Sequence, residues 1–479
     1  MALTPALPSL PDGSLSALDG PIDAVFLGDV VTEDRVIYGG VVAAAGGKIV
    51  AVGTPDRVEL LRSAAAETYD FAGRLLLPGF VDAHVHSFSG PGEGWERSSL
   101  CAAVGGVTTI IEMPYDAAAP VVHAERFRQK RESISGSTLV DVALLATIQR
   151  QDGVPFAEEM IDEGACGFKV SLFETDPVRF PRISSADLLE LLQICARRGT
   201  VVGFHAEDTE IINAAVARAR AAAPTDPLSH PRSRPPVAEN VATAVALQLG
   251  RDTGCPVHIY HASLASATDL VRSYRAAGAD VSVETCPHYL LLEDTDMRQL
   301  GARGKINPPL RAAEQRSRLW ERLQAGDIDM LSSDHAPWPL SRKSAEVIFD
   351  NASGTPGVDL LGPLMLGTGY LGGKLSLLHT VRMLATAPAR RFGLGSSKGT
   401  LAVGLDADLV AYDPSARTRI TAAASHSSAG WSPYEGYEIP GRITATFVRG
   451  GRVYADGVIG AGLGHGRFVR PSVLSTVSA

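Results

Sequence analysis

The sequence predicts an α/β protein, a (β/α)8 barrel of the TIM type carrying a small β-sandwich formed by both chain ends. Three observations predict it. Apolar, β-branched runs alternate with amphipathic stretches through the middle of the chain, and side chains of metal-ligand type stand at the ends of those runs. The two flanks instead hold short β-rich runs separated by Gly turns, with no helix between them.

Residues 1–20 lack a periodic apolar face and are expected to form a disordered arm. Residues 21–77 begin the sandwich, with β-rich runs over 24–53, and residues 396–479 complete it through runs at 399–413 and 443–454, followed by a tail. Between them, 78–395 is read as the barrel. Its eight strand candidates are 80–83, 108–113, 140–146, 167–170, 201–205, 257–261, 281–285 and 328–334. Helices with one apolar stripe are expected at 184–198, 237–249, 263–277 and 312–324.

Six ligand-type residues close these strands or follow them directly: His84, His86, Lys169, His205, His261 and Asp334. They fall on strands one, four, five, six and eight, at the C-terminal ends where a barrel of this type places its active site. A lone strand-end His is usually a hydrogen-bonded structural residue, but His84 and His86, at i and i+2 on an extended strand, point to one side and can reach one cation. His123, His230, His379, His426 and His465 have no such partner and are read as structural; His258, three residues before His261, is read as packing on the opposite side. Lys169 ends an apolar strand, where an ammonium is costly to bury. It could snorkel or pair, or its amine could stay neutral and take up carbon dioxide as a carbamate, an anionic two-oxygen ligand able to bridge two cations.

Composition narrows the partners. With 53 acidic against 44 basic residues the net charge is -9, which disfavours nucleic acid and anionic membrane surfaces, and no basic patch offsets it. The five scattered cysteines lack Cys-x-x-Cys spacing and read as reduced, packed thiols of a cytoplasmic protein. Neither a signal peptide nor a transmembrane helix is expected. The sequon at Asn351 is read as chance, and the Gly-rich stretch 460–466 as a loop.

Several motifs in order give the chain a family resemblance: Pro78-Gly79-Phe80-Val81-Asp82, Gly105-Gly106-Val107-Thr108-Thr109, Gly167-Phe168-Lys169, Glu284-Thr285-Cys286-Pro287-His288-Tyr289, Lys305-Ile306-Asn307-Pro308-Pro309-Leu310-Arg311, Ser333-Asp334-His335 and Gly404-Leu405-Asp406-Ala407-Asp408-Leu409. The chain resembles the amidohydrolase superfamily, in particular its cyclic amidases: hydantoinases, dihydropyrimidinases, allantoinases and dihydroorotases. The resemblance implies two divalent metal ions, zinc foremost. His84, His86 and Asp334 would hold one, His205 and His261 the other, and a CO2-derived carbamate on Lys169 would bridge them. It also implies metal-bound hydroxide attacking a ring amide, Asp334 as the proton acceptor and donor, a small cyclic amide or ureide as substrate, a linear carbamoyl or ureido acid as product, and a homotetramer or homodimer.

Ring identity rests on fewer residues. Dihydroorotases typically carry an Arg and an Asn where this chain has Phe88 and Tyr115, so dihydroorotate is expected to be a poor substrate. Phe88, Trp95, Tyr115 and Phe173 would suit an uncharged ring substituent, which places hydantoin ahead of allantoin; each could equally be a lid-packing residue. Asn307 matches a family position that contacts the ring amide, with the loop through Gly354 and Gly357 as its companion. A superfamily deaminase would not need Lys169, and a non-catalytic scaffold would not need all six ligands.

Overall fold

The computed structural model describes residues 21–472; the arm expected at 1–20 and the chain end at 473–479 lie outside the described residues. The chain opens with β1 (Ile22–Val31), β2 (Val36–Ala45), β3 (Lys48–Gly53) and β4 (Ala65–Pro78). The barrel strands follow: β5 (Phe80–Val85), β6 (Val107–Glu112), β7 (Asp141–Leu144), β8 (Phe168–Ser171), β9 (Val202–His205), β10 (Val257–Ile259), β11 (Val281–Thr285) and β12 (Met330–Leu331). The chain returns through β13 (Leu409–Arg419), β14 (Glu438–Val448), β15 (Gly451–Ala455) and β16 (Val458–Ile459).

Barrel strands β5–β7 pair in parallel, as do β8–β12. Two parallel bridges, Ala146 with Phe168 and Val85 with His335, close the ring between these groups. Every residue of β5–β12 is buried, the continuous burial expected of parallel strands covered on both sides. The expected helices are present as Ser185–Arg198, Pro236–Thr253, Ala265–Ala276 and Ala313–Ala325. The first is capped by Ser184, whose hydroxyl accepts from Asp187 N, and stops at Gly199 in the left-handed region at φ 61°.

The two chain ends share one sheet, in the order β16-β15-β14-β13-β4-β1-β2-β3, where β13 pairs antiparallel with β4 and joins the C-terminal half to the N-terminal half. In a flat sheet β1 and β14 would stand about 14 Å apart, three strand spacings. The Phe26 and Phe447 rings on those strands are nonetheless 4.8 Å apart, so the sheet curls over its own core into a sandwich. Below the barrel, the buried Lys398 ammonium lies 2.6 Å from Asp141, 2.9 Å from Asp406 and 2.7 Å from Asp408, tying β7 to the sandwich. All five cysteines are free and buried. Asn351 is buried, its amide donating to Ala345 O and Val347 O, which fits a chance sequon. Among the described residues no helix is long and apolar enough to cross a membrane.

Two strands end earlier than the apolar runs imply. β10 stops at Ile259 and β12 at Leu331, two positions before His261 and three before Asp334, which both take left-handed backbone at φ 41° and 48°. Ser333 N leaves the ladder for Asp82 Oδ1 at 3.1 Å. These strained turns re-aim the two side chains across the barrel mouth, a conformation that non-glycine residues keep only where the surroundings enforce it.

Candidate metal centre

The six ligand candidates converge at the C-terminal mouth of the barrel. His84 and His86 at the end of β5 meet Asp334: the Asp334 Oδ1 lies 3.1 Å from His84 Nε2 and 3.6 Å from His86 Nε2, and ligand atoms of all three fall within 4.8 Å of one another. Lys169 Nζ, on β8, is 2.7 Å from His84 Nε2. His205 Nδ1 and His261 Nε2 face each other at 3.0 Å, and the His261 ring centroid lies 5.2 Å from that of His84. All of these residues but His86, which is part-exposed, are buried.

Electrostatics favour ligation by this donor set. Burial holds the His84, His205 and His261 imidazoles below the usual histidine range and His86 down at about 4, so all four are neutral and present lone pairs near neutral pH. Burial would raise the Asp334 carboxyl, but the hydrogen bond with His86 and the nearby Lys169 outweigh it and hold Asp334 below the usual carboxylate value. Burial also pulls Lys169 down to about 8, against the opposing pull of Asp334 and Glu284. Its amine is packed 4.3 Å over the Tyr260 ring. Four neutral imidazoles, a carboxylate and a lysine of lowered basicity fit a site for hard to borderline divalent cations.

A shell of partners orients these ligands. Glu284, inside β11, accepts from His84 Nδ1 at 2.7 Å, which leaves Nε2 as the lone-pair nitrogen on the side of Asp334. Glu207 lies 2.9 Å from His205 Nε2 and 2.9 Å from Arg234 Nε, with a second, closer contact to Arg234 Nη2. Ser89 Oγ lies 2.9 Å from His86 Nδ1. His258 does not face away as pure packing: its Nε2 is 3.2 Å from Glu284 Oε2 and its Nδ1 2.8 Å from Ser282 Oγ. The alternation used to place it breaks down because the strand ends at Ile259, before His261. Glu284 and Arg234 were not singled out as functional from sequence. A charged residue next to last in the barrel strand Val281–Thr285, where every residue is buried, is the available signal for Glu284.

Above the ligands opens a cavity of about 460 Å³, lined by His86, Lys169, His205, His261 and Asp334 at its floor. Of the residues considered for substrate contact, Tyr115, Phe173, Asn307 and Gly354 line it. Tyr115 stacks on Phe180 at 3.7 Å and donates its hydroxyl to Lys169 O at 2.9 Å. Asn307 Oδ1 is buried with no hydrogen-bond partner among the described residues. Phe88 and Trp95 stand outside the cavity, edge to face at 4.8 Å with Lys130 Nζ over both rings. Gly357 is also outside, its N–H donating to His335 Nδ1 at 3.1 Å. The wall also carries the cations Arg179, Arg220, Arg234, Lys305 and Arg342; of these, sequence raises Arg179, in the loop 173–180, as an alternative basic anchor.

A barrel closed by β12 and β5, with His, Asp and Lys side chains gathered at its C-terminal mouth, defines a metal-dependent hydrolase of the TIM-barrel class. Comparison with known proteins names the family. The Amidohydrolase family model matches residues 75–453, and the chain belongs to that family, within its cyclic amidase group. It is 37% identical over 447 residues to an allantoinase of Rubrobacter xylanophilus, covering 91% of this chain and 98% of that one. It is 35% identical over 411 residues to an L-hydantoinase of Paenarthrobacter aurescens, covering 85% of this chain and 89% of that one. The solved L-hydantoinase (dihydropyrimidinase) from Arthrobacter aurescens superposes with a TM-score of 0.89 at 33% identity, covering 94% of this chain and all (100%) of that chain. The chain is thus an enzyme that hydrolyses C–N bonds in cyclic amides.

Proposed function

We propose that the chain opens the ring amide of a small cyclic ureide at a two-metal centre, with an allantoin-type ring, polar at its substituent, as the substrate class. The observation that carries the chemistry is the adjacency of two donor sets: His84, His86 and Asp334 with Lys169 against His84, and the facing pair His205 and His261, whose His261 ring lies 5.2 Å from that of His84. His84, His86 and Asp334 would hold one divalent ion and His205 with His261 a second, zinc being favoured by mixed imidazole and carboxylate donors, with a carbamate on Lys169 between them. Bound there, the ions supply Lewis acidity and lower the pKa of water toward neutrality.

The chain's own residues carry the rest. Asp334, held ionised, accepts the proton that water gives up as its oxygen bonds to the ring carbonyl carbon, and returns it to the ring nitrogen as the C–N bond breaks. One water is consumed and a linear ureido acid leaves. Asn307 Oδ1, buried in the cavity wall without a hydrogen-bond partner among the described residues, would accept a ring N–H.

Substrate preference moves away from the hydantoin expected from sequence, because Phe88 and Trp95, two of the four aromatics behind that expectation, stand outside the cavity while guanidinium groups line it. Hydantoins with apolar substituents remain the second reading, favoured by Phe173 and the stacked Tyr115–Phe180 pair on the cavity wall. Turnover of allantoin, hydantoin, benzyl- and methyl-substituted hydantoins, dihydrouracil and dihydroorotate by metal-loaded protein tests both. Allantoin opening faster than benzylhydantoin is the expected result; no opening of any ring overturns the proposal.

A further inference from the structure

Arg179 is a cation whose fork is mostly unused. Its Nη1 donates to Ser89 O at 2.9 Å, and its Nε is buried with no acceptor among the described residues. The guanidinium carbon lies 6.0 Å over the Trp338 ring, and that of Arg342 5.3 Å over the same ring. Neither guanidinium forms a salt bridge among the described residues, although both line the cavity. Arg342 repels Arg179, and Asp176 and Asp116 attract it without either carboxylate reaching salt-bridge distance among the described residues, so an acceptor from outside the chain can still join the two guanidinium groups.

Both the plate and the arm are fixed. Trp338 Nε1 donates to Ser353 O at 2.9 Å, and Trp338 O accepts from Trp431 Nε1 at 2.8 Å. Arg179 rides on a closed loop in which Asp176 Oδ1 accepts from Val178 N at 2.9 Å and Arg179 N at 2.7 Å, Thr175 N donates to Phe180 O at 3.1 Å, and Phe180 is stacked on Tyr115. Ser89 links this arm to the metal centre, since its hydroxyl holds His86 Nδ1 while its carbonyl holds Arg179. The guanidinium thereby has a set position relative to the ligands that would hold the scissile amide.

We infer that Arg179, seconded by Arg342 across Trp338, is the specificity-determining residue of this site and grips a planar oxygen acceptor on the ring substituent, a ureido carbonyl or a carboxylate. It does the work of an anchor that Phe88 cannot do, arriving from the loop after β8 rather than from the strand end at His86. A guanidinium fork matches such acceptors, and a partly desolvated one rejects rings that leave it unpaired. The assignment rests on the cyclic amidase reading and narrows its substrate class.

The test compares kcat/KM for allantoin, hydantoin-5-acetate and dihydroorotate with that for 5-methylhydantoin, in wild type, Arg179→Gln and Arg179→Lys, each assayed for bound metal. Wild type is expected to favour at least one acceptor-bearing ring, and Arg179→Gln to cut that preference on the order of a hundredfold, chiefly through KM, with Arg179→Lys recovering part because it keeps charge but loses the fork. A larger loss with the carboxylate rings marks an anion as the acceptor; a larger loss with allantoin marks the ureido carbonyl. A preference within about threefold of wild type in both variants overturns the inference alone. A wild type that opens no ring overturns it together with the hydrolase proposal.

Discussion

Glu284 Oε1 lies 2.7 Å from His84 Nδ1, both side chains wholly buried at the centre of the barrel. Burial pushes the Glu284 carboxyl up to about 8, so the ionised form that fixes the His84 tautomer is costly unless positive charge stands beyond the imidazole. The pair therefore fits a cation at His84 Nε2. Glu284→Gln should weaken metal binding by about 10- to 100-fold, read by chelator competition, while the fold persists by circular dichroism. Unchanged affinity would mean that packing alone orients His84.

On the opposite side of the centre, Arg234 and Glu207 form a buried ion pair behind His205. Burial alone would raise Glu207, but Arg234 and His205 together hold it far below the usual carboxylate range. Arg234→Met strands that charge and should cost about 3–5 kcal/mol in urea unfolding. The double change with Glu207→Gln should recover a good part of it, because the stranded charge goes too. A single variant within about 1 kcal/mol of wild type, with unaltered metal affinity, would count against this role.

Much of this centre is legible in the sequence because its ligands interrupt apolar strands. His84 and His86 flank the last residue of β5, His205 ends β9 and Lys169 stands inside β8, two residues before its end, so alternation and strand length locate them to within a residue or two. His261 and Asp334 are identifiable by type, yet their left-handed turns are not, since the sequence carries no glycine to announce φ above zero there. The cavity wall is least legible. Phe88 follows the ligand pair by two residues but packs under Lys130, whereas Arg179 and Arg342 reach one indole from loops far apart in the chain. Such meetings are tertiary and leave no local period.

His230 gives a pH signature away from the metal ligands. Burial holds its pKa well below 6.5, with the nearby Arg234 and Lys305 charges adding to the effect, and its Nε2 donates to Ile306 O at 2.9 Å. A histidine depressed in the folded state takes up protons more readily when unfolded. Its contribution is therefore complete above pH 6.5 and is lost as pH falls below that value toward the folded pKa. Wild type should lose unfolding free energy between pH 7 and 5, and His230→Gln, which has no imidazole to protonate, should lose less over that interval, by up to about 1.4 kcal/mol per pH unit from this one group. Equal slopes in the two proteins would show that His230 is protonated in the fold.

Lys169 decides whether the centre holds one cation or two. Its amine lies 2.7 Å from His84 Nε2, within the donor set of His84, His86 and Asp334, and the facing pair His205 and His261 packs against the same His84, with the His261 and His84 ring centroids 5.2 Å apart. As a bare ammonium it would repel cations from both. As a carbamate it would add a negative charge and two oxygens, so Lys169→Ala should lose most bound metal and nearly all turnover. Short-chain carboxylic acids, able to enter the vacated space and offer the same two oxygens, should restore part of both. Metal analysis should fall from about two ions per chain to one or fewer, and intact-protein labelling with 13C-bicarbonate should show a carbamate signal in wild type that the variant lacks. Two ions retained by Lys169→Ala at full activity would eliminate the bridged centre and leave the three ligands His84, His86 and Asp334 as a single-metal site.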